Sequence, residues 1–411
     1  MMMISKCHVA CNIYLSAGLP IYRNVLERLL VDAQQQQPKL QHGLVIHAFA
    51  DTQYDRTSFH LAGSPWAIVS LATSITSNAM QVLAPLKLQR EQQSSDTSTS
   101  SPKRQQQQQQ QQQQYLEHPT VGIVDHISIL PIGDTCEKVT RDDWLEYYNK
   151  SAEHREKNNT SLLPKSDELL SVSLPTTTVP SGWVAWTIGW NLLHRENMPV
   201  DVLYYGHAHP TEKPLAEVRR EKTNFFRSPP ATASSNDDIG NSSSDGGNDA
   251  TGQTPKAPTM SPPIPPSMGQ CTIGAPPHFV ENYNLRLTTK CSKTLARSLT
   301  RAVREKDGGL PSVEALTLPY GSQDRFEVAC NLLNPKDSTS SQDVDVQVAR
   351  FWKEQNLDPK EYLEVAYRVG TTEQQCLQVL LENCQSREEL ERHDESVRVR
   401  FLACFQSDDD S

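Results

Sequence analysis

The sequence lacks the short motifs that mark the most recognisable enzyme classes. It contains no Walker-type phosphate loop, no GxGxxG or GxSxG segment, no HExxH helix and no CxxC pair. These absences exclude a nucleotide-cradling loop, a serine-hydrolase elbow and the simplest zinc sites as the basis of function. The formal net charge is −10, and no basic stripe is interleaved with aromatic residues, so nucleic acid is not an expected partner.

Patterns of secretion and membrane insertion are also missing. The nine cysteines are an odd number without paired spacing, which predicts reduced thiols in a reducing compartment. The first residues resemble neither a secretory signal nor a transit peptide. No run of about twenty apolar residues is evident to span a bilayer. We therefore expect a cytoplasmic protein with no metal site and no membrane partner.

The hydrophobic fraction is low, at 36%, because polar tracts interrupt the chain. We predict disordered insertions near residues 89–114 and 158–180 and a Ser/Pro-rich linker over 228–268. The glutamine run inside the first insertion favours a solvated linker over a partner-binding tract. The proline-rich MSPPIPPSMG has the same two readings, and its place between two ordered blocks favours the linker.

The remaining sequence repeats one order of elements. In residues 4–227, segments in which apolar residues recur every second position, typical of strands, alternate with segments of period 3.6, typical of helices. Their order is βαββαβ with an added helix and strand, and the βαββαβ order occurs again in residues 269–386. The predicted fold class is therefore α/β (α+β), with two ferredoxin-like βαββαβ subdomains and a ligand cleft between them. Residues 387–411 are predicted to form a C-terminal extension.

One histidine occupies a special position in this pattern. His118 precedes Pro119 at the start of the apolar strand VGIVDHISILPI. Proline restricts the residue before it to extended geometry, so the imidazole stands at a strand entrance, where binding sites gather. From the pattern alone, His118 is either catalytic or structural. His126, inside the same strand, is predicted to be a packing residue.

Three other pairs of residues have two interpretations each. The pair Gly308-Gly309 is an anion cradle or, more commonly, a helix C-cap. His207 and His209 share one side of an extended segment, but two imidazoles without a third ligand are weak support for a metal. Arg219 and Arg220 either meet a carboxylate or solvate an exposed helix face.

Four segments, in order, resemble the formiminotransferase family, especially its short plant and algal members with the formiminotransferase N-terminal subdomain. They are EHPTVGIVDHISILPI, VLYYGHAHPTEKPLAEVRRE, TIGAPPHFVENYN and GGLPSVEALTLPYGSQDRFEVACNLLNP. The resemblance extends from about residue 7 to about residue 384. It implies two ferredoxin-like subdomains around a tunnel for tetrahydrofolate and a formimino amino acid, often in a homodimer. It also implies transfer of the formimino group from the glutamate nitrogen to N5 of tetrahydrofolate, the co-substrate.

The same resemblance implies roles for individual residues. His118 matches the family's catalytic histidine, a general acid/base whose ordinary pKa suits proton transfer near neutrality. Asp125 matches a strand aspartate, and Arg56 belongs to a retained Arg-Thr pair. The loop containing Pro266, Ser267 and Gly269 matches the folate-contacting loop.

The chain departs from the family pattern at four positions. Thr120 and Met268 stand where the family has arginine and tryptophan, and Tyr14 and Asp55 stand at asparagine positions. These changes remove binding groups rather than the acid/base. They support an alternative function, in which the chain is a non-catalytic module on the same scaffold for a folate-like ligand or for a protein partner.

Overall fold

The computed structural model of the protein describes residues 7–37, 43–96, 120–133, 138–153, 175, 177–223, 269–383 and 386–406. Its first unit contains the six elements that the sequence predicts. They are β1 (His8–Leu15), α1 (Arg23–Gln36), β2 (Gly43–Asp51), β3 (Arg56–Gly63), α2 (Pro65–Asp96) and β4 (Val124–Ile132). The strands pair antiparallel in the order β2-β3-β1-β4. This order is that of a split βαβ unit, so the predicted topology is confirmed.

Two further strands widen this sheet. β5 (Asp201–Gly206) and β6 (Gln270–Ala275) follow β4 in the sheet order, and β6 lies parallel to both β4 and β5. The sequence analysis assigns residues 269–386 to the second βαββαβ unit, so it did not predict β6 as a strand of the first sheet. A six-residue strand that contains Gly274 gives a weak β signal, and its partners are distant in the chain. The predicted boundary at 269 therefore falls just before a strand of the first sheet.

Helices cover one face of the six-stranded sheet and form the larger core. In β1, alternate residues Val9, Cys11 and Ile13 point to this side, and α1 adds an apolar stripe that includes Leu26 and Leu30. α4 (Pro180–Trp190) is buried along its whole length and continues as a π-helical turn over Asn191–Arg195. This core holds the sheet rigid, so that its other face is available for polar groups.

α2 is the long apolar helix of this core. Residues Pro65–Arg90 are long and apolar enough to cross a bilayer by length and composition, so the expectation that no such stretch exists was wrong. In the fold, 72% of the most apolar window of this helix is buried, as in a core helix. α2 ends at Asp96, so its last turns include the first eight residues of the predicted 89–114 insertion. The glutamine run lies outside the described residues, as do 154–174 and the 228–268 linker.

α3 (Arg141–Glu153) is mostly polar in sequence but packs against the core through two aromatic residues. Trp144 is completely buried, and its Nε1 donates a hydrogen bond to Thr187 Oγ1 in α4 at 3.0 Å. Tyr147, one turn later, is also buried. Two aromatic residues three positions apart therefore anchor a helix whose other side chains are mostly polar.

The second unit repeats the βαββαβ order. Its elements are β7 (Glu281–Leu287), α6 (Lys293–Val303), β8 (Val313–Tyr320), β9 (Ser322–Leu332), α7 (Ser341–Glu354), the single turn α8 (Pro359–Tyr362) and β10 (Leu363–Val369). The antiparallel sheet has the order β10-β7-β9-β8, which confirms the second predicted ferredoxin-like unit. Local signals agree with this fold, since Ser340 and Asp343 form a capping box at the start of α7.

The chain then returns to the first unit. α9 (Glu373–Asn383) places Leu380 against Leu130 of the first sheet. α10 (Arg387–Ala403) buries Phe401, whose ring centroid lies 6.0 Å from that of Phe59. His393 of α10 donates through Nε2 to the Val45 carbonyl oxygen at 2.9 Å. Most of the predicted 387–411 extension is thus an integral layer of the first unit.

Candidate functional site

The second face of the six-stranded sheet is divided into an apolar half and a polar half. In the apolar half, residues such as Ala10 and Leu130 pack against α9. In the other half, polar side chains project from five neighbouring strands, and we call this group the polar face: Asn12, Tyr14, Ser58, His60, His126, Ser128, Tyr205 and Thr272. All of them except Tyr14 are buried. A cluster of buried polar groups on a rigid sheet is a candidate binding site.

Asp125 forms the charged centre next to this face. Its Oδ2 lies 2.9 Å from Arg56 Nη2 and 3.1 Å from Arg219 Nη2, and the carboxylate side chain is fully buried. The pairing of β1 with β4 explains its position. Tyr14 pairs with His126 and Leu15 pairs with Val124, so Asp125 is the extra residue of a β-bulge. The bulge turns the carboxylate towards the two guanidinium groups, which compensate its charge.

The structure distinguishes the two interpretations that the sequence left open for Arg219 and Arg220. Arg219 lies on α5 (Leu215–Lys222), is 7% exposed, and pairs with Asp125. Arg220 is exposed, and its Nε donates to the Ala216 carbonyl oxygen of the same helix at 2.9 Å. Arg219 Nη2 also lies 3.3 Å from Thr272 Oγ1. The carboxylate-binding reading is correct for Arg219, and the solvated-face reading is correct for Arg220.

His126 contacts the other residues of the polar face through both of its ring nitrogens. Thr272 donates its hydroxyl proton to the Asp125 carbonyl oxygen at 2.8 Å, so His126 Nδ1, 3.1 Å from Thr272 Oγ1, must be the donor in that contact. The Nε2 lone pair then faces the Tyr205 hydroxyl at 3.3 Å. Burial lowers the pKa of His126 well below its ordinary value, and the charge of Arg219 adds to this effect. The ring is therefore neutral, and it is both a packing residue and a member of the site.

Two atoms of the polar face have unused hydrogen-bonding capacity. Asn12 and His60 are paired across β1 and β3, and each is at least nine-tenths buried. Within the described residues, Asn12 Oδ1 and His60 Nδ1 have no hydrogen-bond partner. Buried polar atoms without partners are costly, so they mark where a ligand's polar atoms would be favourable. Burial also lowers the pKa of His60 well below its ordinary value.

Tyr14 connects the polar face to the second unit. Its hydroxyl donates to Asn282 Oδ1 of β7 at 3.0 Å, and Asn282 Nδ2 donates to Asn331 Oδ1 of β9 at 2.7 Å. The Tyr14 ring stacks on His126 at 5.7 Å between centroids and lies 4.5 Å from the guanidinium carbon of Arg56. Tyrosine at this position therefore joins the two units directly.

The entrance to β4 is held by backbone contacts. Asp125 Oδ1 accepts the Val121 backbone N–H at 3.0 Å, and Ser16 Oγ donates to the Gly122 carbonyl oxygen at 2.6 Å. Gly269 bridges Gly122 with φ of +62°, and a Cβ there would stand 2.6 Å from the Val121 carbonyl oxygen. Only glycine satisfies both conditions at this position. Asp125 and Gly269 thus meet at one short segment of backbone.

A turn beside this entrance shows how one departure from the family pattern is accommodated. Asp55 has φ of +48°, and its Oδ1 accepts the backbone N–H groups of Gly18 and Leu19 at 2.6 and 3.0 Å. An asparagine side-chain oxygen would accept the same bonds, so the carboxylate preserves the loop geometry. The next residue, Arg56, is thereby fixed towards Asp125.

The remaining predicted site residues are distributed as follows. Asp125, Arg56 and Gly269 are brought together within the first unit. His118, Pro266 and Ser267 lie outside the described residues, as does Met268. Thr120, the first described residue before Val121, is exposed. Gly308 adopts φ of +88° as the C-cap of a short 3₁₀ turn, which agrees with the capping reading.

Sequence reasoning missed His60, Thr272 and Tyr205 as site residues. They lie on three strands, and strand order cannot be read from local pattern. A signal was nevertheless present, because Asn12 and Tyr14 in β1 alternate with buried apolar residues, as do His126 and Ser128 in β4. Such alternation inside a buried strand indicates a second, polar interface rather than solvent.

A separate buried carboxylate lies in the second unit. Glu327 of β9 accepts hydrogen bonds from Tyr367 at 2.6 Å, from Asn284 Nδ2 at 2.7 Å and from Tyr54 of the first unit at 3.1 Å. Burial raises the pKa of Glu327, while the hydrogen bond from Tyr367 acts in the opposite direction. Like Tyr14, this cluster connects the two units.

Comparison with known proteins gives one informative similarity. No family model matches the chain. Over 79 residues it is 35% identical to a formiminotransferase cyclodeaminase-like protein of Arabidopsis thaliana. The match covers 19% of this chain and 26% of the relative, so the chain spans about a quarter of that relative's length in the matched region. The similarity relates the chain to formiminotransferase-like proteins without identifying a particular member.

Proposed function

We propose that the chain is a formimidoyltransferase that moves a one-carbon formimino group from an N-formimino amino acid, formiminoglutamate, to N5 of tetrahydrofolate. The observation that carries the proposal is the buried Asp125–Arg56–Arg219 centre beside the strand entrance that follows His118. The similarity to a formiminotransferase cyclodeaminase-like protein agrees with it.

The proposed chemistry needs one group that takes up a proton and returns it. His118 accepts the proton released as the bond between N5 and the formimino carbon forms. It then donates a proton to the glutamate nitrogen as the bond from that nitrogen to the formimino carbon breaks. A positioned acid/base of this kind contributes typically ~10²–10⁴-fold in rate. Asp125 is a positioning residue, because it holds the Val121 N–H three residues after His118.

The binding of tetrahydrofolate is proposed for the polar face and the loop before Gly269. Asn12 Oδ1 and His60 Nδ1 fit the donors and acceptors of a pterin ring, since both are buried atoms without a partner in the described part of the chain. Pro266 and Ser267, which precede Gly269, are proposed as further contacts. Arg56 is proposed to attract the carboxylates of the substrates, since its side chain is 18% exposed.

The proposal includes a cytoplasmic location and a homodimer. Seven cysteines in the described residues are free thiols, six of them buried, as expected in a reducing compartment. Size-exclusion chromatography with light scattering tests the dimer.

One variant tests the catalytic assignment. The purified full chain is expected to release glutamate from formiminoglutamate only when tetrahydrofolate is present. His118→Asn should lower this rate by on the order of a hundredfold or more without changing the melting temperature. His278→Asn, at an exposed histidine, is the matched control and should keep full activity. Equal activity of His118→Asn and wild type would show that His118 is not the acid/base.

A second candidate function has its own support. Tyr14 donates directly to Asn282 and thereby fills part of the space between the units with side chain. That contact favours a non-catalytic module for a folate-like ligand or a protein partner. Calorimetric titration with tetrahydrofolate separates the candidates: binding without turnover selects the module for a folate-like ligand, and absence of binding excludes the transferase.

A further inference from the structure

A cavity of about 740 Å³ lies between α9, α10 and the edge strand β2. Ligand sites typically measure about 300–1,000 Å³, so this cavity has room for a small organic molecule. α9 contributes Gln375, Val379 and Glu382, which share one helical face at spacings of four and three residues. The two helices meet across the cavity with mostly polar faces instead of closing on an apolar seam.

α10 contributes the charged wall of this cavity. Glu389, Arg392, His393 and Arg400 lie on the helical face that the cavity exposes. Packing on the opposite side fixes this orientation, because Phe401 is fully buried in the core. The wall therefore stands on a firmly anchored helix.

Two arginines in this wall have no carboxylate partner among the described residues, although acidic residues are frequent on the same helix. On the same helix, Arg387 pairs with Glu391 at 2.8 Å and Arg398 with Glu27 at 3.6 Å. Among the described residues, by contrast, neither Arg392 nor Arg400 makes an ion pair. The hydrogen bond of Arg392 goes from Nε to the Glu388 carbonyl oxygen of its own helix at 3.4 Å.

Two glutamates in the cavity wall are also without a cation. Glu382 accepts a hydrogen bond from the neutral amide of Gln378, through Nε2 at 2.7 Å, and Glu389 accepts one from the Ser386 hydroxyl at 3.1 Å. Neither makes an ion pair in the part of the chain that the structure describes. Two positive and two negative side chains therefore line one space without neutralising each other.

We propose that this cavity binds a small zwitterion, an α-amino acid or a short peptide, with its carboxylate on Arg392 and Arg400 and its ammonium group on Glu382 and Glu389. Guanidinium groups bind carboxylates in a planar, two-pronged geometry, and carboxylates accept the N–H donors of an ammonium group. The two glutamates would repel a polyphosphate or a dicarboxylate, which argues against a simple anion site. His47, at the inner wall, adds a neutral imidazole, because burial lowers its pKa to about 4 and Arg400 adds to this effect.

The site is independent of the proposed transferase reaction. His47 of the cavity lies 5.6 Å, between ring centroids, from His60 of the polar face, so the two sites are neighbours that share no charged residue. Binding in the cavity is expected to persist in His118→Asn. Failure of the transferase proposal would leave this inference standing, and the reverse holds as well.

Isothermal titration of the full chain tests the site. The probes are the common L-amino acids and glycylglycine, each titrated singly, with glutarate and inorganic phosphate as anions that lack an ammonium group. We expect at least one zwitterion to bind, and to bind tenfold or more weakly to the Arg392→Gln/Arg400→Gln variant and to Glu382→Gln. Arg387→Gln, whose side chain is 89% exposed, should bind as wild type does. A preference for amino acids over glycylglycine, or the reverse, identifies the source of the ligand.

Three results would overturn the inference: no zwitterion binds, binding survives in the double arginine variant, or glutarate or phosphate binds as tightly as the zwitterions. Misfolding does not confuse these outcomes, because Arg392 and Arg400 are exposed and make no ion pair with the described part of the chain whose loss would destabilise α10. Melting temperatures of all variants should match wild type within the error of the measurement.

Discussion

Asp125 and Glu327 are both completely buried carboxylates, but the two units compensate them differently. Asp125 contacts two guanidinium groups at 2.9 and 3.1 Å. Glu327 contacts two phenol hydroxyls and one amide, while its nearest cation, Arg286, is 3.6 Å away. The first arrangement stabilises a charge, and the second tolerates a neutral acid. The comparison shows that burial alone does not determine the charge state of a carboxylate, because the hydrogen-bond donors and cations around it also contribute.

The largest effect is expected for Asp125→Asn. The substitution leaves Arg56 and Arg219 facing each other without an anion, and breaking a buried pair from one side costs about 3–5 kcal/mol. We expect a large drop in melting temperature and, in the transferase assay, loss of activity. Asp307→Asn, which removes a partly exposed pair with Arg304, is the control and should cost less than about 1 kcal/mol. A stable Asp125→Asn protein would mean that Asp125 is not the charged centre described above.

The comparison of Asp125 with the strands around it shows which features could be predicted from the sequence. β1 and β3 form as the βαββαβ order predicted for residues 4–227 requires, because each has its alternation of apolar residues within eight residues of sequence. The resemblance identified Asp125 and Arg56 as site residues, each by itself and without predicting that they pair. Asp125 owes its orientation to a bulge, and Arg219 reaches it from a helix 94 residues away, so neither contact has a local signature.

The two units should also respond to pH in opposite directions. In the first unit, His60 and His126 have lowered pKa values, so the unfolded chain binds more protons below about pH 6.5 and stability falls as the pH falls. Asp394 has the opposite effect: burial raises its pKa to about 6, so the folded state binds this one proton more tightly and gains stability as the pH falls. In the second unit, Glu327 has a raised pKa, so the folded state holds its proton more tightly and stability falls as the pH rises above about 4.5.

Hydrogen exchange measured by mass spectrometry separates the units. Between pH 7.5 and 5.5, after correction for intrinsic rates, the opening free energy of β4 should fall by about 1–2 kcal/mol, since each shifted proton contributes up to about 1.4 kcal/mol per pH unit. The opening free energy of β9 should stay constant or rise. Parallel changes in the two strands would show that the units unfold together.

Glu327→Gln should have a smaller effect than Asp125→Asn. Glutamine keeps one oxygen acceptor, either for Tyr367, which donates to Oε2, or for Asn284, which donates to Oε1, and its amide nitrogen faces the other donor. It removes no buried charge if the acid is already neutral, so the expected cost is about 1–3 kcal/mol, that of one buried hydrogen bond left unmade. The cost should decrease as the pH rises from 4.5 to 8, because the wild type alone carries the penalty of ionising Glu327. Chemical denaturation at several pH values measures this difference. A cost as large as that of Asp125→Asn would place an ionised carboxylate at position 327 and remove the contrast between the units.

The smallest effect is expected where the two units meet at Tyr14. Tyr14→Phe removes the hydroxyl that donates to Asn282 Oδ1 at 3.0 Å and keeps the ring that stacks on His126, so the cost should be about 0.5–1.5 kcal/mol. A double-mutant cycle with Asn282→Ala isolates the contact, because both residues lose the same bond and the coupling energy should approach that value. Tyr204→Phe is the matched control: its hydroxyl donates to the Trp186 carbonyl oxygen at 3.1 Å inside the first unit, and it should show no coupling to Asn282. Absence of coupling between Tyr14 and Asn282 would mean that the Glu327 cluster, through Tyr54, carries the polar connection between the units.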